Sequence, residues 1–265
     1  MRRVEFPGKR RLRYHMVLPR IDERVVVRFP EGMTLKLDLR EWLQVDYWAG
    51  LHDRHELRLV RRLLRDGGDF VDVGAHVGLY AVCAAVTLGR RGRVLAFEPN
   101  PQARSQLEEN LALNRCDNAI VLDAAASDRT GSARLMLPRT FDHAFSALED
   151  DTFAGDERYT GGGEVEVATT TVDAEVERHG LEPVLLKVDA QNHELEVLAG
   201  ARRTLEQGSA LLVEVGPESV AEIEQRLTAL GHHGYRLDPR RLHAGPLAEH
   251  HGSFNALFVP PGTQV

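Results

Sequence analysis

The stretch Phe-Val-Asp-Val-Gly-Ala-His-Val-Gly, residues 70–78, decides which fold this chain can adopt. Its first four residues read as a short buried strand, and a helix of small apolar residues is predicted over 77–88. Gly74 and Gly78 allow a tight turn between strand and helix and a close approach of the backbone to a ligand. Because ligands of α/β sheets bind beyond the carboxyl ends of the strands, this turn marks a candidate binding site.

Strands and helices alternate on the C-terminal side of this turn. The pattern predicts strands over 93–97, 119–122, 165–168, 184–189, 210–215, 235–237 and 254–259, and helices over 101–114, 172–178, 193–205 and 217–230. Strand–helix–strand units of this spacing form right-handed crossovers and parallel sheets. The predicted fold class is therefore α/β, with a Rossmann-like sheet that is mostly parallel and has an antiparallel C-terminal edge strand.

A small cap is predicted ahead of this sheet. Residues 24–29 and 33–39 are β-like and flank a Pro-Glu-Gly turn, which is typical of a hairpin. Apolar residues then recur at helical spacing over 53–65. We divide the chain into an N-terminal cap, residues 1–50, which holds the hairpin, a short helix and a basic start, and a binding domain, residues 51–265.

Two segments of the binding domain are less regular. Residues 124–137 predict a small antiparallel excursion that turns at 129–131. Residues 138–163 form a long polar stretch that ends in three glycines. A loop of this length inside a compact domain predicts a flexible lid, a substrate loop or disorder.

Composition narrows the class of partner. The chain has 265 residues, a net charge of −7 and two cysteines. Nucleic-acid surfaces are basic, so the charge favours a small-molecule substrate and no nucleic acid. Cys83 and Cys116 form no disulfide framework, which favours a reducing cytoplasm. No apolar run reaches the ~18 residues of a membrane span.

Acidic residues at the strand ends indicate the kind of cofactor. The turn reads G-x-x-x-G, whereas dinucleotide binders use G-x-G-x-x-G, which argues against a pyrophosphate. Asp72 can supply a carboxylate to a cationic ligand such as S-adenosylmethionine, which carries a sulfonium and an ammonium. Glu98 ends the next strand and can accept hydrogen bonds from both ribose hydroxyls. Asp123, after the third strand, either reaches an adenine amino group or is a solvated loop acid.

Five blocks of the sequence together resemble the FkbM family of S-adenosylmethionine-dependent methyltransferases. They lie in the same order as in the family, and the resemblance runs from about His52 to Val259; the blocks are residues 70–78, 96–101, 185–189, 194–201 and 212–215. The resemblance implies a class I methyltransferase sheet and S-adenosylmethionine as the cofactor. It also implies O-methylation of natural products, sugars or related small molecules. Loops and edge strands of such folds often pair two chains, so a homodimer is an open alternative.

The resemblance also assigns site residues. Asp189 matches the aspartate at the end of the fourth parallel strand, beside the transferring methyl group, and Glu194 matches the later acidic residue of that block. Residues 146–148 resemble a Ser-Leu segment near the pocket and place Ser146 with the substrate. The expected cofactor contacts are Asp72, Gly74, Ala75, His76, Gly78, Glu98, Pro99, Asn100 and Asp123.

This chain departs from the family in the block that begins at Asp189. The family usually reads Asp-Val-Glu-Gly-Ala-Glu there, whereas residues 189–194 read Asp-Ala-Gln-Asn-His-Glu. Gln191 and Asn192 replace the family's glutamate and glycine, so we assign them to the substrate. His76 stands where asparagine is common. If the family glutamate transfers a proton, this chain cannot use it in that way.

Methyl transfer to an alcohol requires a proton acceptor as well as alignment of the reacting atoms. We predict Asp189 and His193 as the catalytic candidates, one a carboxylate and the other an imidazole. Glu214, at the end of the fifth parallel strand, and His143, in the long loop, are predicted substrate contacts. The paired histidines at 232–233 and 250–251 lack metal-ligand spacing, so no metal site is predicted.

Other functions remain open at this stage. An amine or a carboxylate could be the acceptor, and a carboxylate would need no base. A nicotinamide-dependent oxidoreductase could use a similar sheet. The substitutions at Gln191 and Asn192 would also suit a protein that binds S-adenosylmethionine with weakened catalysis.

Overall fold

The computed structural model describes residues 24–50, 54–138, 146–148, 163–238, 241–249 and 252–263. Its helices are α1 (Trp42–Ala49), α2 (Arg54–Leu63), α3 (Leu79–Leu88), α4 (Pro101–Leu113), α5 (Val172–His179), α6 (Glu194–Gly200), α7 (Arg202–Glu206) and α8 (Val220–Ala229). Its strands are β1 (Arg24–Arg28), β2 (Thr34–Asp38), β3 (Asp69–Val73), β4 (Val94–Phe97), β5 (Ala119–Leu122), β6 (Ala125–Ala126), β7 (Gly131–Met136), β8 (Ala147–Leu148), β9 (Glu164–Thr170), β10 (Pro183–Val188), β11 (Ala210–Val215), β12 (His233–Asp238), β13 (Arg241–Ala244) and β14 (Phe254–Val259).

An eight-stranded sheet organises the chain, in the order β13-β12-β14-β11-β10-β3-β4-β5. The five strands from β11 to β5 are parallel, and β14 runs antiparallel to β11 and β12. This confirms the predicted α/β class with a mostly parallel sheet and antiparallel strands at one end. At this end of the sheet, β14 lies between β12 and β11 and is therefore an interior strand. The edge strand is β13, which the sequence pattern did not predict.

The central strands are buried on both faces because helices cover the sheet from both sides. All five residues of β3 and all four of β4 are buried. Phe70 packs in the cluster on one face, with α3, and Phe97 packs in the cluster on the other face, with α6 and α8. Strands that are buried along their whole length are typical of a parallel sheet covered on both faces.

The predicted hairpin is present as β1 and β2, which pair antiparallel from Arg24–Asp38 to Arg28–Thr34. Side-chain amides of α4 satisfy the free edge of β2. Asn114 Oδ1 accepts from the Thr34 amide at 2.8 Å, and Asn110 Oδ1 accepts from the Lys36 amide at 2.7 Å. Apolar residues of β2 belong to the same cluster as those of α3 and α4, so the cap and the sheet share one core.

The antiparallel excursion predicted over 124–137 is wrong in its pairing. β6 and β7 do not pair with each other, because β9 lies between them, parallel to β6 and antiparallel to β7. The seven residues of β9 offer β7 a longer ladder than the two residues of β6 could. β7 and β9 pair although some 30 residues separate them in the sequence, and the local sequence pattern does not indicate such a distant partner.

Two further expectations change in detail. The helix predicted over 193–205 is divided into α6 and α7 at Ala201. Gly200 packs so tightly there that a Cβ would lie 2.0 Å from the Ser127 carbonyl oxygen. Within the predicted loop 138–163, residues 147–148 form β8 against β7. Residues 139–145 and 149–162 lie outside the described residues.

Candidate functional site

A cavity of about 470 Å³ opens at the carboxyl ends of β3, β4, β10 and β11. Its walls combine the turn after β3, the ends of the neighbouring strands, and aromatic side chains of α1. Predicted site residues that line it are Gly74, Ala75, His76, Glu98, Pro99, Ser146, Asp189, Gln191, Asn192, His193 and Glu214. Its volume is within the range of small-molecule sites.

The glycines of the turn after β3 are required by close packing as well as by backbone conformation. Gly74 has a φ of 72°, and a Cβ there would lie 2.0 Å from the Asp189 carbonyl oxygen. Gly78 has a φ of 93°, and a Cβ there would lie 2.6 Å from a methyl carbon of Leu107 on α4. Gly74 therefore brings the ends of β3 and β10 together, and Gly78 seats α3 against α4.

Glu98 is buried at the end of β4 and held by two backbone amides. Its Oε2 accepts from the His76 amide at 2.7 Å, and its Oε1 accepts from the Asn100 amide at 2.9 Å. Burial raises the pKa of Glu98, while His76 and these amides oppose the rise. The carboxylate is thus fixed in orientation at the cavity wall, as a ribose acceptor has to be.

Asn100 acts on the cavity through a neighbour. It caps α4, where its Oδ1 accepts from the Gln102 amide at 2.9 Å. Its Nδ2 donates to Ser146 Oγ at 2.8 Å, and Ser146 lines the cavity. The predicted cofactor contact is therefore a helix cap that anchors the Ser146 segment.

Lys187, which the sequence analysis did not single out, lies at the centre of the charged groups. Its ammonium is 3.7 Å from Asp72 Oδ1 and 3.5 Å from Asp189 Oδ2, and it donates to the Gly74 carbonyl oxygen at 3.1 Å. It also lies 5.1 Å from the centre of the Tyr80 ring, within cation–π range. The sequence feature that could have identified Lys187 as a site residue is its position inside the family block 185–189.

Asp72 occupies a different place from the one its sequence position suggested. Its side chain is fully buried within β3, next to Lys187, and the residue does not line the cavity. Burial raises the pKa of Asp72 to about 6, and the Lys187 charge opposes the rise. The geometry gives Asp72 the task of holding Lys187 in position.

Asp189 faces the cavity with both carboxylate oxygens supported. Lys187 approaches Oδ2, and Gln191 Nε2 donates to Oδ1 at 3.0 Å. Gln191 and Asn192 have φ values of 52° and 73°, so the chain turns through the left-handed region just after Asp189. Asparagine tolerates this region better than most residues, which explains how it can replace the family's glycine.

Two more carboxyl groups stand close to Asp189. Glu194 accepts from the Ala190 and Asn192 amides at 3.0 and 3.2 Å, and burial, followed by the Asp189 charge, raises its pKa to about 7. The Asp189 charge, followed by burial, raises the pKa of Glu214 to about 7. Like charges in one buried site resist simultaneous ionisation, so this group of carboxyls retains protons near neutral pH.

His193 is buried at the cavity wall and caps α6. Its Nε2 lies 3.0 Å from Ser127 Oγ, and its Nδ1 lies 3.6 Å from Glu196 Oε2. Both ring nitrogens of His193 thus have protein neighbours, as both carboxylate oxygens of Asp189 do, and both residues line the cavity.

Two further predicted residues do not line the cavity. Asp123 forms an ion pair of 2.6 Å with Arg104; its side chain is 70% exposed and does not line the cavity. Gly78 is behind the wall, as described above. His143 lies outside the described residues. Trp42, Leu43 and Tyr47 of α1 also line the cavity.

The donor set of the cavity fits S-adenosylmethionine. Carboxylates outnumber cations along the described wall, with Glu98, Asp189, Glu194 and Glu214 facing Lys187. Such a wall suits a ligand that carries a sulfonium and an ammonium. Glu98 would hold the ribose, and the turn at Gly74 would lie along the amino-acid part.

In the described ranges, no group of three or more His, Cys, Asp and Glu side chains is arranged to hold a metal ion. No helix among the same residues combines the length and the apolar character needed to cross a membrane.

Comparison with known proteins places this site in a family. The sequence model of the methyltransferase FkbM domain matches residues 72–237. The hexuronic acid methyltransferase AglP of Haloferax volcanii is 29% identical over 175 residues, which cover 64% of this chain and 66% of the relative. The probable cobalt-precorrin-6B C(15)-methyltransferase (decarboxylating) of Sulfurisphaera tokodaii is 24% identical over 109 residues, covering 41% of this chain and 57% of that protein.

The match therefore spans less than two thirds of either relative. Among solved structures, M. jannaschii TYW2 in complex with AdoMet is 14% identical with a TM-score of 0.44, and the alignment covers 91% of this chain and 88% of that one. The family match covers more than half of the chain and includes the turn after β3, Glu98, Asp189 and Glu214. On the strength of this match, the chain belongs to the FkbM family of methyltransferases.

Proposed function

We propose that the protein methylates a hydroxyl oxygen of a small molecule, a sugar or a natural product, with S-adenosylmethionine as the methyl donor. The observation that carries this proposal is the support of Asp189 by Lys187 and Gln191 at 3.5 and 3.0 Å, in the same cavity as Glu98. A hydroxyl acceptor needs a proton acceptor beside it, and Asp189 is placed to be one.

The protein's own residues have three tasks in this reaction. When bound, the cofactor supplies an electrophilic methyl group. The strand ends hold the acceptor oxygen in line with that group, because alignment is the main source of rate in a displacement at carbon. Asp189 would take the hydroxyl proton, and an electron pair of the oxygen would form the new bond to the methyl carbon as the carbon–sulfur bond breaks and S-adenosylhomocysteine leaves. Gln191 and Lys187 hold the carboxylate in a fixed orientation.

Glu214 and Glu194 are further carboxyl groups that can accept the proton after Asp189. Their pKa values, each raised to about 7, allow either group to take up a proton that Asp189 has received. A proton acceptor whose pKa lies near the working pH is the most effective. The proposed catalytic group is therefore Asp189 with Glu214 behind it, and His193 is a structural neighbour.

The similarity to the hexuronic acid methyltransferase AglP supports a carbohydrate as the acceptor. A hexuronic acid offers hydroxyl groups and a carboxylate, so a similar acceptor here would leave two possible products, a methyl ether and a methyl ester. The ester is the runner-up, and an amine acceptor is the next. The carboxylates around Asp189 favour the ether, since an anionic carboxylate acceptor would meet like charge.

The alternative of a binding protein with weakened catalysis rests on the loss of the family glutamate. Gln191 supports the catalytic reading instead, because its amide donates to Asp189 where a glutamate would repel it. We extend the proposal to a small-molecule acceptor in the cytoplasm, on the strength of the net charge of −7 and the two separate cysteines. A homodimer remains a proposal for solution measurement.

The test has two stages. Calorimetry first measures binding of S-adenosylmethionine and S-adenosylhomocysteine, with NADH as the comparison; no adenosyl binding would overturn the cofactor site. Neutral sugars, uronic acids and polyhydroxylated natural products are then supplied with methyl-labelled cofactor. An alkali-stable methyl product, reduced ~100-fold or more in Asp189→Asn and little changed in His193→Gln, is expected. An alkali-labile product would establish the ester instead.

A further inference from the structure

His76 occupies an unusual position between the N-terminal cap and the cofactor turn. Its φ is 49°, a left-handed conformation that few residues other than glycine adopt. Its Nε2 lies 3.5 Å from Oε2 of Glu41, the residue that precedes helix α1. Backbone strain retained at a binding site indicates a function that offsets its cost.

Glu41 requires a cationic partner because it is buried. Its side chain is only 5% exposed, and its Oε2 has no hydrogen-bond partner among the described residues. A carboxylate removed from water without compensation is costly. Of the described cationic groups, the His76 ring is the one within ion-pair distance, and it carries a charge only when protonated.

The same histidine also acts on Glu98. Its backbone amide donates to Glu98 Oε2 at 2.7 Å, and its charge works against the rise in the pKa of Glu98 that burial causes. His76 therefore stands between two buried carboxylates, one from the cap and one from the ribose position. Loss of its proton would leave both without this compensation.

The described cationic side chains near His76 and Glu98 already form ion pairs with other carboxylates. On the cap, Arg40 pairs with Asp38. On α4, Arg104 pairs with Asp123 and donates to the carbonyl oxygens of residues 98 and 99. On β10, Lys187 pairs with Asp72 and Asp189 and affects Glu98 only from a distance.

The contact matters to the cavity because α1 forms part of its wall. Trp42, Leu43 and Tyr47 line the cavity together with His76. Helix α1 begins immediately after Glu41, so the Glu41–His76 pair ties the start of this helix to the cofactor turn. Displacement of α1 would open the wall on the side of that turn.

We propose that protonated His76 is a positioning residue that holds helix α1 against the cofactor turn through Glu41, so that cofactor binding weakens when His76 loses its proton. The inference rests on the cofactor assignment and is independent of the acceptor. Deprotonation would remove the attraction to Glu41 and the compensation of Glu98 together.

The test measures S-adenosylhomocysteine binding by calorimetry at about pH 6 and about pH 8.5, on either side of the ordinary imidazole titration. Between the two pH values, wild-type affinity is expected to fall roughly fivefold relative to that of His76→Asn and Glu41→Gln, a modest ion-pair effect. Asparagine tolerates the left-handed backbone, and both variants keep the pH dependence that Glu194 and Glu214 cause, because the pKa values of those carboxyls are raised to about 7.

A matched control is His179→Asn. The His179 ring lies 3.6 Å from the buried Glu175 on α5, a similar pair outside the cavity, and its loss should leave the pH dependence intact. Hydrogen exchange of residues 42–49 in the ligand-free protein gives an independent readout. Faster exchange in His76→Asn and Glu41→Gln is expected even if the ligand fails to bind. Unchanged exchange, or full pH dependence in both variants, would overturn the proposal.

Discussion

Gln191 Nε2 donates a hydrogen bond of 3.0 Å to Asp189 Oδ1 from a backbone held at a φ of 52°. The family's glutamate at this position would set a second negative charge beside the aspartate. An amide does the reverse, because its N–H group donates a hydrogen bond to the carboxylate and adds no charge. The departure from the family sequence is thus compatible with a proton acceptor at Asp189.

Gln191→Glu is expected to destabilise the protein at alkaline pH. It removes the donor and adds a carboxylate near Asp189, Glu194 and Glu214, so the free energy of unfolding at about pH 8 should fall by roughly 1 kcal/mol. At about pH 5 the loss should shrink as the new carboxyl is protonated. Urea unfolding at the two pH values measures both. Gln191→Ala loses the hydrogen bond without adding charge, so its effect should not vary in this way; equal pH dependence in both variants would contradict the role given to Gln191.

Glu98 and Asp123 were both predicted as cofactor contacts, and the structure separates them. Glu98→Ala should weaken S-adenosylhomocysteine binding by ~10-fold or more, because it removes the acceptor at the ribose position. Asp123→Ala should change binding less than about twofold, since its carboxylate is exposed and paired with Arg104. Calorimetry on the two variants decides the matter. Comparable losses would mean that Asp123 does reach the cofactor.

Gly74→Ala is expected to cost about 3 kcal/mol of stability. The new Cβ would lie 2.0 Å from the Asp189 carbonyl oxygen, so the ends of β3 and β10 would have to separate. Gly180→Ala is the matched control, because Gly180 has a φ of 57° and a ψ of 53° but no atom within 4 Å of the added carbon. It should lose only the conformational cost of about 1 kcal/mol. Equal losses in denaturant unfolding would refute the packing argument.

Glu194 makes stability depend on pH. Its pKa is raised from 4.5 to about 7, so the folded protein keeps a proton that the unfolded chain has released. The resulting stability is complete below about pH 4.5 and disappears as pH rises to about 7, a change on the order of 3 kcal/mol. Glu194→Gln should flatten this part of the stability profile, measured by urea unfolding from about pH 5 to 8. A profile as steep as that of wild type would show that burial of Glu194 is not its source.

The mostly parallel character of the large sheet was accessible from the sequence because its parallel strands are short, largely apolar segments, and four of the five, β3, β4, β10 and β11, are followed by a helix. The small sheet was not, because β9 separates β6 from β7 and its pairing joins residues far apart in the chain. Local periodicity reports burial and extension, but it does not report partners.

The candidate site likewise has parts that the local sequence predicts and parts that only packing determines. The sequence by itself determined the turn between Gly74 and Gly78, the acid at Glu98 and the aspartate at Asp189, since each follows a strand whose end must lie at one edge of a parallel sheet. Tertiary structure alone decided that Lys187 joins Asp72 to Asp189 and that Glu41 meets His76. Those are relations between side chains on different elements, and their distances and burial exist only once the elements have packed.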